Sequence, residues 1–108
     1  MLKMLTSKRF TFVQKEEYEV DLEYNEHYLV LHLPFVKRLT KTTYLDMQEM
    51  VKHLWTFAKS TGYEGMWIAI RKEDESLVKL VKKLGFHPLG EDSGLSVYEY
   101  WSKEEDDI

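Results

Sequence analysis

Trp67-Ile-Ala-Ile-Arg-Lys-Glu-Asp-Glu-Ser-Leu-Val-Lys-Leu-Val-Lys-Lys-Leu-Gly-Phe86 decides the reading of this chain. Met66 to Ile70 is an apolar run of strand length. After a charged break, Leu77, Val78, Val81 and Leu84 recur at helical steps until Gly85 stops them. Glu73, Asp74 and Glu75 stand before the helix, and Lys79, Lys82 and Lys83 occupy its later turns. That charge order complements a helix dipole, so a strand followed by a helix is expected.

Upstream, Met47, Met50, Val51, Leu54, Trp55 and Ala58 share one helical face. Thr43 with Asp46 three residues later reads as a capping-box-like start, and Lys59 followed by Gly62 as the end. Before that helix, Arg9 to Val13 and Tyr18 to Tyr24 alternate polar with aromatic or β-branched residues around a turn at Gln14 to Glu17. They predict an antiparallel hairpin. Tyr28 to Phe35 is the most apolar segment and predicts a third, more buried strand ending at Pro34, because a central strand tolerates no internal proline. A last strand, Leu95 to Trp101, follows a turn region at Gly90 to Gly94. The expected fold is α/β, a mixed antiparallel and parallel sheet with two main helices in the order βββαβαβ, and the strand–helix–strand crossover is expected to be parallel and right-handed.

Composition sets the outer limits. The 108 residues suit a single domain over 1–108, with 1–8 and 103–108 expected to fray. The chain has no cysteine, which excludes disulfides, thiolate metal sites and cysteine nucleophiles. A cytoplasmic location follows as the expectation. Met1 to Arg9 lacks the roughly 7 to 15 apolar residues of a signal peptide, and no run approaches the roughly 18 of a membrane span. Membrane association is therefore not expected. The net charge of −4 argues against general nucleic-acid binding, which calls for a basic surplus.

The quoted stretch, closing on Leu-Gly-Phe, resembles the signature of the N-acetyltransferase-like (GNAT) superfamily. Ala58-Lys-Ser-Thr-Gly62 resembles the end of that family's cofactor-binding helix, and the likeness covers about Tyr18 to Tyr100. The resemblance implies a GNAT-like core and, in an intact member, acyl-CoA-dependent N-acyl transfer. Its glycine-rich pyrophosphate turn, however, falls on Thr42, Leu45 and Met47, where bulky side chains block close backbone approach. The family's tyrosine acid falls at Val81, which cannot transfer a proton, and its loop asparagine falls at Asp74. The chain also opens after the place of the family's first strand and of the two helices that wall the acceptor site. A similarly eroded pattern resembles the GNAT-related internal virion proteins of short-tailed phages, which implies a phage or prophage setting and a virion location.

The candidate ligand site is Lys37, Arg38, Thr40, Lys41, Thr42 and Thr43, where three cations and three hydroxyls gather before a helix start. They would suit a CoA or nucleotide phosphate, or form a solvated loop with a threonine cap. No catalytic residue is assigned. His32 is read either as a general base or as one histidine on an exposed strand face, and Tyr98 and Tyr100 as possible acids or alternating strand aromatics. His27, His32, His53 and His87 lack metal-site spacing, so no metal is expected. Of Trp55, Phe57, Trp67 and Trp101, most are expected in the core, with Phe57 the exposed contact for a protein partner or self-association. The acidic tail Glu104 to Asp107 reads as solubilising. The leading expectation is a non-catalytic binding or assembly protein without a cofactor. The alternative is an acyltransferase, using acetyl-CoA or CoA, whose cleft between the third strand and the Met66 strand stays open with the basic loop at its mouth.

Overall fold

Along Tyr18–Tyr24 the buried residues Tyr18, Val20 and Leu22 alternate with Glu19, Asp21 and Glu23. A period of two can hide an apolar set only on one face of a sheet, and this rule organises the computed structural model of the chain, which describes residues 8–101. The expectations placed on residues 1–7 and 102–108 lie outside the described residues. Lys8, expected to fray with the start, instead opens a strand.

The elements are β1 (Lys8–Gln14), β2 (Tyr18–Tyr24), β3 (Tyr28–Val36), α1 (Lys41–Thr61), β4 (Gly65–Arg71), α2 (Glu75–Lys83), β5 (Phe86–Asp92) and β6 (Leu95–Tyr100). They build one six-stranded sheet in the order β1-β2-β3-β4-β6-β5. Every neighbouring pair is antiparallel except β3 with β4, the two strands that α1 connects. The expected parallel crossover is present there.

The second crossover differs from expectation. Phe86–Asp92 is a strand, so the observed order is βββαβαββ, and α2 leads to β5 at the sheet edge. A hairpin through Ser93 and Gly94, with φ of 55° and 81°, then returns the chain as β6, antiparallel to both β5 and β4. Two consecutive positive φ values match the tight turn whose twist suits a hairpin. Pro88 and Gly90 hide β5 from a propensity reading, yet an edge strand tolerates both, and the register shifts between them. Pro34 likewise lies inside β3 rather than at its end. Pairing with β4 stops at His32–Ala69, and pairing with β2 is irregular between Glu19 and Asp21, so no ladder bond needs a Pro34 N–H.

Both helices pack on the same face. Met47, Val51, Leu54 and Ala58 of α1 and Leu77, Leu80 and Val81 of α2 join Leu29, Leu31, Met66, Ile68, Phe86, Tyr98 and Tyr100 in one buried cluster. Each fully buried aliphatic side chain stabilises the fold by roughly 1.5–3 kcal/mol. Tyr44 ties the two helices together by donating its hydroxyl to the Lys83 carbonyl at 3.0 Å. The helical layer stops short of β1, whose Phe10 and Phe12 are 47% and 43% exposed and meet edge to face.

The helix ends follow local chemistry, with one correction. The α1 N-cap is Thr40, not Thr43: the Thr40 hydroxyl accepts the Thr43 amide at 3.1 Å, and Thr43 is buried. Asp46 points instead to Lys15 at 3.4 Å. Gly62, at φ 90°, closes α1 in the left-handed conformation as expected. Asp74 caps α2 by accepting from the Leu77 amide, and Gly85 turns the chain at φ 108° directly under the Tyr100 ring. Replacing Thr40 by Ala should cost about 1 kcal/mol in urea unfolding, whereas Asp46→Ala should change stability by no more than about 0.5 kcal/mol. The reverse ranking would return the cap to Thr43.

Candidate functional site

The chain between β3 and α1 carries the candidate anion site, and the structure separates its members. Thr40 and Thr43 spend their hydroxyls on each other at 3.0 Å and on the cap. Lys37 turns toward the β1–β2 turn: its amide donates to the Glu17 carbonyl at 2.7 Å and its Nζ lies 5.9 Å from the Phe35 ring centre. Arg38 and Thr42 are exposed. Lys41 lines a groove of about 460 Å³ with Leu39, Thr40, Tyr44, Leu45 and Lys83. Neither Lys37 nor Arg38 lines that groove. Lys83, which the sequence reading missed, stands over the Tyr44 ring at 4.9 Å. No local spacing could have found it, because helix packing brings the end of α2 to the start of α1.

Among the described residues no helix lies on the opposite face of the sheet. Glu23, Val30, Trp67 and Glu99 form one row of cross-strand partners, and Asp21, His32, Ala69 and Val97 form the next. Trp67 stacks on Tyr28 with ring centres 4.3 Å apart and donates its Nε1 to Glu99 at 3.3 Å. Trp101 stacks on His87 at 3.8 Å. Trp67 and Trp101 are therefore outside the helix-packed core in which most of the large aromatics were expected. The even spacing from Trp67 to Ala69 puts the tryptophan on the face opposite to Met66, Ile68 and Ile70. Trp55 is half-buried against Tyr100, and Phe57 is 52% exposed, as its place on the helix predicted.

His32 is the chemically distinctive residue of this face. Its Nε2 lies 2.9 Å from Glu23 Oε1, and its side chain is 16% exposed. Beside it, Arg9 holds Asp21 through Nε at 3.2 Å and Nη2 at 3.0 Å. Burial pushes the His32 imidazole below its ordinary 6.5, and the Arg9 charge acts the same way; the hydrogen bond and charge of Glu23 and the charge of Asp21 oppose this without cancelling it. A neutral imidazole held by a carboxylate can accept a proton. Directly past His32 and Ala69, β3 and β4 part, leaving a cavity of about 230 Å³ edged by Arg9, Pro34, Ile70, Arg71 and Leu77. The Lys37 to Lys41 loop does not line it.

The other positions singled out by the sequence serve structure. Val81 has no exposed surface, Met47 is buried beneath the sheet, and Tyr98 and Tyr100 lie in the helix-packed core. His27 pairs with Glu64 at 2.6 Å on the surface. Among the described residues no group of three His, Cys, Asp or Glu side chains could hold a metal ion, and no helix is long and apolar enough to cross a membrane. No family model, curated protein or solved structure matches the chain.

The His32 environment sets a pH dependence. Because the folded pKa is depressed, the folded chain binds fewer protons than the unfolded chain between the two values, so the stability held by neutral His32 is present above 6.5 and is lost as pH falls through the folded pKa. Lowering the pH from about 7.5 to about 5 should reduce the melting temperature of the native chain more steeply than that of His32→Gln. Parallel curves for the two proteins would show that His32 does not titrate with folding.

Proposed function

We propose that the chain is a GNAT-like core reduced to a binding module that recognises a protein partner and performs no acyl transfer. The observation that carries this reading is the burial of the positions where transfer chemistry would reside. Val81, in the place of the proton donor, is packed inside the core, and Met47, in the place of a cofactor-turn glycine, is likewise buried. A valine has no proton to give. A cradle of backbone amides also needs an approach that the Met47 and Leu45 side chains obstruct. The hydroxyls of Thr40 and Thr43 are committed to the cap, and the basic loop is split between two directions.

One observation favours the acyltransferase as a second reading. The parting of β3 from β4 just past His32 leaves an opening between two parallel strands, with a carboxylate-held imidazole at its edge. In that reading acetyl-CoA enters the opening, and Lys37, Arg38 and Lys41 meet its phosphates.

Thermal-shift and calorimetric titration with acetyl-CoA and with CoA separates the two. A ligand that binds only the folded state adds about 2.7 kcal/mol of stability at a hundred times its Kd. The binding-module reading expects no shift at millimolar CoA. Saturable binding that Lys37→Glu with Arg38→Glu weakens would overturn it in favour of the acyltransferase.

A further inference from the structure

Strand β1 closes one side of the sheet and, among the described residues, pairs with β2 alone. The backbone groups along its outer edge therefore have no ladder, and a bare edge is a template for another strand. Proteins blunt such edges with charge, proline, a bulge or a cover. Between Phe10 and Val13 the described strand has only a bulge. That bulge leaves Phe12 without an opposite residue on β2, and so adds an unpaired residue to the edge.

The side chains at this edge are aromatic. Phe10 lies opposite Leu22, a member of the core, which puts its ring on the helix-bearing face. Phe12 meets Phe10 with ring centres 6.4 Å apart, and Tyr24 meets Phe10 at 6.0 Å. The three rings form a shelf beside the helical layer, and Phe10 and Phe12 leave nearly half of their surface to water.

Two features of the strand select a second copy of the chain as its neighbour. Phe10-Thr11-Phe12 reads the same in both directions. A two-fold axis at Thr11 in an antiparallel seam sets Phe10 of each copy opposite Phe12 of the other and Thr11 opposite Thr11, and cross-strand pairs of both kinds stabilise a sheet. With that axis perpendicular to the sheet, both copies keep their helices on one face, and four phenylalanines meet in the gap between the two helical layers. The hairpin is also polarised in charge. Lys8 opens β1, whereas Glu16 and Glu17 lie in the turn that ends it. The cations between them are already paired, Arg9 with Asp21 at 3.0 Å and Lys15 with Asp46 at 3.4 Å. Antiparallel copies bring the basic end of each strand to the acidic turn of the other, while parallel copies would set like charges together.

We propose that the chain forms a two-fold dimer in which the β1 edges of two copies pair antiparallel about Thr11, so that the two six-stranded sheets become one. The proposal goes beyond the binding-module reading and does not depend on it, because the seam uses none of Lys37, Arg38 and Lys41.

The test is sedimentation equilibrium and cysteine crosslinking of the 108-residue chain. A seam of one strand per copy is small, so the expected dimer is reversible, with a Kd of roughly 10 μM and a mass that doubles between about 1 and about 100 μM. Phe12→Lys places a charge in the middle of the aromatic cluster and should weaken association by about tenfold or more. It should leave the unfolding of dilute protein unchanged, because Phe12 is exposed in a single copy. The chain has no cysteine, so Thr11→Cys can form only an intermolecular disulfide. Directly opposite residues of an antiparallel pair stand roughly 4.5–5.5 Å apart at Cα, within disulfide reach. Under mild oxidation Thr11→Cys should crosslink about tenfold faster than Ser76→Cys, which sits exposed on α2. A monomer at the highest concentration, a dimer that Phe12→Lys leaves intact, or Thr11→Cys crosslinking no faster than Ser76→Cys would overturn the proposal. The cysteine pair keeps the test decisive should Phe12→Lys fail to fold. Saturable CoA binding would leave all three outcomes unchanged, so this proposal and the binding-module reading fail separately.

Discussion

The rest of the structure depends on the parallel pairing of β3 with β4. Antiparallel strands can be joined by a two-residue turn, but parallel neighbours need a connection that travels the length of the sheet and returns. In this chain α1 supplies that return, and its 21 residues are long enough to cross the sheet and bury Met47, Val51, Leu54 and Ala58 on the way. Once α1 lies on one face, the apolar side chains of β2, β3 and β4 must point to that face. The same choice sends Glu23, Val30, His32, Trp67 and Ala69 to the other.

Placement of both helices on one face shapes what the molecule offers to a partner. The covered face is filled by a single cluster that includes Val81 and Tyr98, positions that could otherwise have carried chemistry. The uncovered face combines polar and aromatic pairs, His32 with Glu23, Arg9 with Asp21, Trp67 with Tyr28, around small side chains that form a floor. The His32–Glu23 contact at this depth is governed by burial: with His32 mostly shielded from water, desolvation outweighs the carboxylate partner and pushes the imidazole below its ordinary value. Lone-pair chemistry and an apolar floor therefore coexist within one cavity.

The groove at Lys41 and the opening beside His32 follow from separate contacts. Lys41 and Lys83 meet because Tyr44 fastens the start of α1 to the end of α2. The opening beside His32 exists because β3 and β4 cease to pair there, where Pro34 has no amide to contribute. The basic loop between β3 and α1 was expected to serve a cleft at this point. It is drawn aside by the Lys37 amide, bonded to the β1–β2 turn, and by the cap at Thr40.

Local chemistry was written in the sequence. The three- and four-residue spacing of apolar residues in α1 and α2, the glycine stops at Gly62 and Gly85, the acidic start of α2, and the alternation along β2 each depend on residues within one or two turns of each other, so they can be read without coordinates. The exposure of Phe57 followed from the same periodicity. The cap at Thr40 lay within reach of such reading too, but Thr43 with Asp46 offered a competing pair of equal local quality, and only the burial of Thr43 against the sheet decides between them. Strand β5 escaped because Pro88 and Gly90 spoil its propensity, while its existence is decided by β6, which pairs with it from across a two-residue turn. The candidate site was legible as residue types and not as a place: Lys37, Arg38 and Lys41 are neighbours in the chain that diverge in space. His32, Ala69, Asp92 and Val97 are distant in the chain and converge. Tertiary structure decided that convergence, because cross-strand register and the face on which a sheet is buried join residues with no sequence relation, and no local rule encodes them.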